Sequence, residues 1–143
     1  MIRNIQLKDK DQWEKLYKGY ADFYKVEMNN NILQTVWNWL HDKNHEVKGL
    51  VYEVEGNIVG LAHYRKMPSP LRGQYIGFLD DLFVDPKYRG QKIGEKFINK
   101  MKEISKSKEW NLVRWITRND NIRAKSLYDR ISEKTNWDVY ELK

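Results

Sequence analysis

Two neighbouring carboxylates, Asp80 and Asp81, interrupt the apolar run Leu79-Asp80-Asp81-Leu82-Phe83-Val84. In a strand expected to be central, an unpaired carboxylate is costly, so the pair calls for a function. A carboxylate there can take a proton from an amine, directly or through water, and can hold a cation. Immediately downstream, Asp85-Pro86 marks a turn and Lys87-Tyr88-Arg89-Gly90-Gln91-Lys92-Ile93-Gly94 carries two glycines into a helix. Apolar residues at Ile93, Phe97, Ile98, Met101 and Ile104 have the spacing of one helical face. A strand, a glycine loop and a helix N-terminus gather unpaired backbone N–H groups and the positive end of a helix dipole around one spot. Such a spot binds phosphate. The sequence thus offers an anion cradle beside acidic residues, which implies a phosphorylated cofactor meeting a cationic substrate.

The acidic pair poses a geometric problem, because neighbouring side chains of a regular strand point to opposite faces. Either one aspartate serves the site and the other caps a neighbouring element, or a β-bulge turns both inward.

Around these residues, Ile2–Leu7 reads as a first strand. Asp9–Tyr24 reads as a helix, with Trp13, Leu16, Tyr17, Tyr20 and Tyr24 on one stripe and Asp9 or Asp11 as N-cap. Asn31 can cap a second helix running through Ile32, Val36, Trp37, Trp39 and Leu40. Leu50–Val54, the turn Glu55-Gly56-Asn57 and Ile58–Tyr64 form a hairpin pattern. Met67-Pro68-Ser69-Pro70 reads as a loop, since proline disfavours helix and strand interiors. Tyr75–Val84 is the next strand, and a helix covers Gln91–Ser107. Leu112–Thr117 is apolar on both faces, as in a strand buried in mid-sheet. Asn121–Ser132 is helical, with Ala124, Leu127, Tyr128 and Ile131 aligned, and Trp137–Leu142 reads as a final strand. The order β-α-α-β-β-β-α-β-α-β predicts an α/β fold with a mixed sheet covered by helices. The unit from Tyr75 to Thr117 should be parallel and right-handed.

At 143 residues the chain is one domain's worth, 1–143. Six Trp, nine Tyr and 41% hydrophobic residues describe a chain that folds. No apolar run approaches the ~18 residues of a membrane span, and no signal segment opens the chain, so a cytoplasmic protein is expected. With no cysteine there is no disulfide, thiolate site or thiol nucleophile. Only His41, His45 and His63 supply imidazole, without HxxH or HExxH spacing, so no metal site is expected. The net charge of +6 is spread along the chain among 20 acidic residues, which argues for a solvated basic surface over a nucleic-acid face. A polyanionic cofactor explains part of the excess.

The element order, together with Val84-Asp85-Pro86-Lys87-Tyr88-Arg89-Gly90-Gln91-Lys92-Ile93-Gly94 and Asn121-Ile122-Arg123-Ala124-Lys125-Ser126-Leu127-Tyr128, closely resembles the GNAT family of acetyl-CoA-dependent N-acetyltransferases. Gly19–Tyr24, Leu79–Val84, Trp115–Asn121 and Leu127-Tyr128-Asp129 look like the branch of histone and polyamine acetyltransferases. The region Ile76–Tyr128 is similar to spermidine/spermine acetyltransferases. The likeness spans essentially the whole chain. One departure stands in the phosphate loop, where Lys92 occupies the fourth position of Arg/Gln-x-x-Gly-x-Gly/Ala. Its side chain either points away from the pyrophosphate or adds a charge to it.

The resemblance implies roles. Arg89 opens the loop, and backbone N–H groups of Gln91, Lys92, Ile93, Gly94 and Glu95 would hold the CoA pyrophosphate, Gly90 and Gly94 allowing close approach. The backbone of Leu82, Phe83 and Val84 would pair with the pantetheine arm like an added strand. Tyr128 would donate to the departing thiolate, and Asn121 with Ala124 would face the cofactor. Asp80 is implied as base and Asp81 as substrate anchor. Tyr20 and Tyr24 would edge the acceptor pocket, with Arg114, Trp115 and Ile116 on the strand beside it. The implied reaction is direct attack of a small primary amine, a polyamine or amino compound, on the thioester, with both substrates bound together. Acetylation of a protein lysine or N-terminus, and a CoA-binding regulator without turnover, are the alternatives. By the same resemblance a homodimer is expected, through the aromatic C-terminal strand around Trp137 and Tyr140.

Overall fold

The computed structural model describes residues 1–143. Strand β1 (Ile2–Asn4) leads through a 3-10 turn into helices α1 (Lys10–Tyr24) and α2 (Asn30–His41). Strands β2 (Lys48–Val54), β3 (Asn57–Ser69) and β4 (Gln74–Val84) follow. A 3-10 turn at Pro86–Tyr88 enters α3 (Ile93–Ser107), and β5 (Val113–Trp115) and α4 (Ile122–Ile131) complete the order. The sheet runs β1-β2-β3-β4-β5, antiparallel except for the parallel pair β4–β5.

Helices α1 and α2 cover one face of the sheet, burying Trp13, Leu16, Tyr17, Leu33, Trp37 and Leu40 against Val51, Leu61 and Phe83. Helix α3 covers the other, placing Ile93, Phe97 and Met101 on Leu50, Val59, Ala62 and Leu79. The β2–β3 turn uses Glu55 and Gly56 at φ 49° and 82°, the two left-handed residues that match a tight hairpin to the strand twist. Helix α4 lies beside the start of α3, tied by the Arg130–Glu95 ion pair at 2.9 Å.

The structure departs from the sequence pattern at several ends. Strand β1 stops at Asn4, because Asp9 is drawn into a turn by Arg3 (2.8 Å) and the Gln6 amide (2.8 Å). Asp9 therefore makes no helix-capping bond to α1. The cap of α2 is Asn29, whose Oδ1 accepts from the Ile32 amide at 2.9 Å, rather than Asn31.

Met67-Pro68-Ser69 belongs to β3, with Met67 opposite Ile76 and Pro68 opposite Tyr75. Strand β2 has already ended against Tyr64, so this stretch of β3 is a sheet edge, where a missing N–H is tolerated. Strand β5 is an edge of three half-buried residues rather than a mid-sheet strand. The expected strand at 137–142 does not form. Those residues lie outside any ladder, with Trp137 73% and Tyr140 90% exposed.

Gly77 shows how closely β4 and β5 pack. A Cβ there would stand 2.7 Å from the Trp110 ring and 3.2 Å from Val113. Gly77→Ala is expected to destabilise the fold by about 1–3 kcal/mol through overpacking, read as a lowered thermal midpoint.

Candidate active site

The acidic pair sits at a β-bulge. His63 opposes Asp81 and Tyr64 opposes Leu79, so Asp80 is an extra residue with no partner on β3. The insertion changes the phase of the strand: Leu79 packs under α3, whereas Phe83 packs under α1 and Asp81 bonds to Tyr17 of α1. Asp80 reaches Arg65 Nε at 3.0 and 3.2 Å, and Arg65 alternates with Tyr64 onto the same α1 side. Of the two sequence alternatives, the bulge is the one realised, and both carboxylates face α1.

Their surroundings push the two apart. Burial raises the Asp80 carboxyl by more than the Arg65 guanidinium lowers it, leaving Asp80 above the usual carboxylate range. Burial works the same way on Asp81, but the His63 and tyrosine donors outweigh it and hold that carboxyl low. Asp81 Oδ2 accepts from the Tyr17 hydroxyl at 2.9 Å and from His63 Nδ1 at 2.8 Å. Adjacent titratable groups with opposite shifts suit a base and an anchoring anion.

From Asp81 a row of tyrosines follows α1. Tyr17 and Tyr20 ring centroids lie 5.6 Å apart, and those of Tyr20 and Tyr24 4.7 Å. At the end of the row, the Tyr24 hydroxyl accepts from Asn121 Nδ2 at 3.1 Å. Asn121 Oδ1 in turn accepts from the Ala124 amide and caps α4. One turn further along α4, the Tyr128 ring meets the Trp115 ring edge-on at 5.3 Å. Burial, with Tyr24 nearby, pushes the Tyr128 hydroxyl up to about 12.

Beyond Leu79, whose partner is Trp115, β4 runs on to Val84 while β5 has ended. This parting leaves one edge of Leu82-Phe83-Val84 without a strand and opens a cavity of about 310 Å³. The cavity is walled by that edge, the start of α3 and the Arg123, Leu127, Arg130 face of α4. Residue Lys92, in the N-cap position of α3, takes a left-handed conformation (φ 61°) and supplies no side-chain cap. The first amides of α3 thus lack side-chain partners beside the cavity. A left-handed lysine costs about 1–3 kcal/mol, and such strain gathers at functional sites. Gly90 is also left-handed (φ 86°), while a Cβ at Gly94 would meet only Leu127 at 3.8 Å. Packing does not demand glycine at 94, which leaves free space on the cavity side.

Arg130 at the cavity is paired with Glu95, whereas Arg89 and Arg123 have no carboxylate partner there. The Arg89 guanidinium lies 4.8 Å from the Phe23 ring centroid and 5.7 Å from that of Phe83. Burial, and then the neighbouring Arg123, lower its affinity for its proton. Two crowded guanidinium groups beside free amides fit a polyphosphate.

Of the cofactor residues expected from sequence, Leu82, Phe83, Val84, Arg89, Gly90, Lys92, Ile93, Gly94, Glu95, Asn121, Ala124 and Tyr128 line this cavity, and Gln91 does not. Tyr24, expected against the acceptor, lines the cavity as well. Asp80, Asp81, Tyr20 and Trp115 stand outside the lining. Sequence reasoning missed Phe23, Tyr88, Arg123, Leu127 and Arg130 as wall residues. The spacing of Arg123, Leu127 and Arg130, i, i+4 and i+7, is a single helical face that could have been found.

Residues 12–132 match the acetyltransferase (GNAT) family. The chain belongs to that family and is an acetyl-CoA-dependent N-acetyltransferase. It is 27% identical over 143 residues to the D-amino-acid N-acetyltransferase HPA3 of Saccharomyces cerevisiae, covering 99% of this chain and 89% of that protein. The fold is shared with a ribosomal-protein-alanine N-acetyltransferase from Brucella melitensis (TM-score 0.84, 21% identity, 100% and 97% covered). It is also shared with the aminoglycoside N-acetyltransferase AAC(6')-Iy solved with CoA (TM-score 0.82, 16% identity, 100% and 93% covered).

If the paired guanidiniums receive the cofactor's phosphates, Arg89→Gln and Arg123→Gln should each raise the KM for acetyl-CoA about tenfold, the loss of one charge-assisted hydrogen bond. The acceptor KM should hold, and added salt should narrow the gap to wild type in steady-state assays.

Proposed function

We propose that this enzyme acetylates the primary amine of a small cationic compound, a polyamine or amino compound, with both substrates bound together. The observation that carries this reading is the bulge at Asp80, which presents two carboxylates with opposite shifts to the same side of the sheet. Asp81, held ionised, would anchor the ammonium of the acceptor. Asp80, with its higher proton affinity, would accept a proton at a carboxylate oxygen and release the free amine. Tyr20 and Tyr24 would wall the path between this acidic pocket and the cavity.

Acetyl-CoA brings a thioester, whose acyl carbon is open to attack by a free amine. The amides of α3 with Arg89 and Arg123 would hold its phosphates, and the unpaired edge of Leu82-Phe83-Val84 would take its amide-bearing arm. Tyr128 Oη would serve chiefly as a hydrogen-bond donor. Full transfer from a phenol near 12 to a thiolate near 8.5 runs about 5 kcal/mol uphill. The exposed C-terminal segment with Trp137 and Tyr140 supports a homodimer built through that segment.

The test is an amine panel of spermidine, putrescine, lysine and a peptide N-terminus, followed by release of CoA thiol. Turnover of the diamines or lysine with none on the peptide is expected, and the reverse order would replace this reading by protein acetylation. Tyr128→Phe is expected to lower kcat about tenfold to a hundredfold, with the KM for acetyl-CoA nearly unchanged.

Asp80 gives a pH prediction with a definite sign. Its proton affinity is higher folded than unfolded, so its ionisation works against stability as pH rises through the folded value. Activity instead needs the ionised form and should fall as pH drops through that value. Asp80→Asn should abolish this acidic limb and lower kcat by about 10²–10³. Its thermal midpoint at neutral pH should match or exceed that of wild type.

A further inference from the structure

Two nearly buried side chains stand behind the acidic pair and touch neither substrate in the reading above. His63 is 2% exposed and Trp13 is fully enclosed. Trp13 Nε1 lies 3.0 Å from His63 Nε2, and His63 Nδ1 lies 2.8 Å from Asp81 Oδ2. Tyr17 donates to the same Oδ2 at 2.9 Å.

The state of the ring follows from what its neighbours can do. An indole N–H only donates, so Nε2 must offer a lone pair. The imidazole proton is therefore on Nδ1, and Nδ1–H donates to Asp81. An imidazolium would set its Nε2–H against the indole N–H. The Nε2–H tautomer would do the same and would also turn a Nδ1 lone pair toward a carboxylate. In a site this buried, either clash leaves donors unsatisfied and without water to replace the lost partner.

We propose that Trp13 and His63 are positioning residues of the acceptor site: they lock a neutral imidazole onto Asp81 Oδ2 and so orient the carboxylate without cancelling its charge. The contrast with Asp80 gives this its meaning. Asp80 is bonded to a cationic guanidinium, whereas Asp81 receives its bonds from a neutral imidazole and the Tyr17 phenol. A full counter-charge therefore stays at Asp81 for a substrate ammonium, and Oδ1 is bonded to neither His63 nor Tyr17. Because α1 supplies Trp13 and Tyr17 while the sheet supplies His63 and Asp81, docking of the helix on the strands itself sets the acceptor anchor.

This inference rests on the reading of Asp81 as the ammonium anchor, and the experiments separate the two. Nitrogen-15 NMR of the intact enzyme at pH 7 should show His63 protonated at Nδ1 and bare at Nε2. A proton on Nε2, alone or with Nδ1, overturns the proposal. In kinetics with the fastest amine of the panel, His63→Leu should raise the acceptor KM at least tenfold, leaving the KM for acetyl-CoA and kcat within about threefold. His63→Asn, whose amide keeps a donor near the Nδ1 position, should recover most of that loss. Should His63→Leu fail to fold, Tyr17→Phe removes a second donor to the same oxygen and should raise the acceptor KM about threefold. If Asp81→Asn leaves the acceptor KM unchanged, the anchor reading itself falls. If Asp81→Asn raises it while the His63 and Tyr17 variants do not, positioning alone is refuted.

Discussion

The insertion of Asp80 opposite a β3 strand with no residue to match it is the constraint on which the acidic half of the site depends. A regular strand would send Asp80 under α3 and Asp81 under α1, putting one carboxylate into an apolar core. The bulge shifts the phase by one residue, so Leu79 fills the α3 side and both acids emerge together. A bulge also bends its strand and raises local twist. Beyond it β4 no longer follows β5, and the gap between them is the cavity. Carboxylate pair and cavity are neighbours because the distorted stretch of β4 borders both.

Charge is divided between the two halves of the site. The cavity concentrates Arg89, Arg123 and uncapped amides, an arrangement that repels itself until an anion enters. The acidic half does the reverse. Asp81 is stabilised by the His63 and tyrosine donors, and Asp80 is disfavoured as an anion by burial. The tyrosine row of α1 separates them with large, mostly apolar surfaces that end in hydroxyl groups. Such a wall holds the acidic pair apart from the basic cavity.

Much of this was legible in the residues, and the failures have identifiable causes. The strand, glycine loop and start of α3 were readable because they are local features. The hairpin at Glu55-Gly56 and the face of α3 were readable for the same reason. The loop assigned to Met67–Pro70 failed because proline is excluded only from paired strand interiors, and edge position is set by where β2 ends. The strand assigned to 137–142 failed because alternation supplies a face but not a partner. Arg65 and His63 were invisible as site residues. Nothing near them in sequence says that they oppose an acidic bulge.

By itself the sequence determined the β-α-α-β-β-β-α-β-α order up to its last strand, the glycine loop that enters α3 and the identity of the acidic and phenolic groups. Those depend on periodicity, turn chemistry and composition, which act over a few neighbouring residues. Tertiary structure alone decided that Asp80 and Asp81 share a face, that their proton affinities diverge and that Trp13 fixes the imidazole of His63. These are properties of register and burial. They arise where strands distant in the chain are paired one residue out of step and a helix is closed over the result.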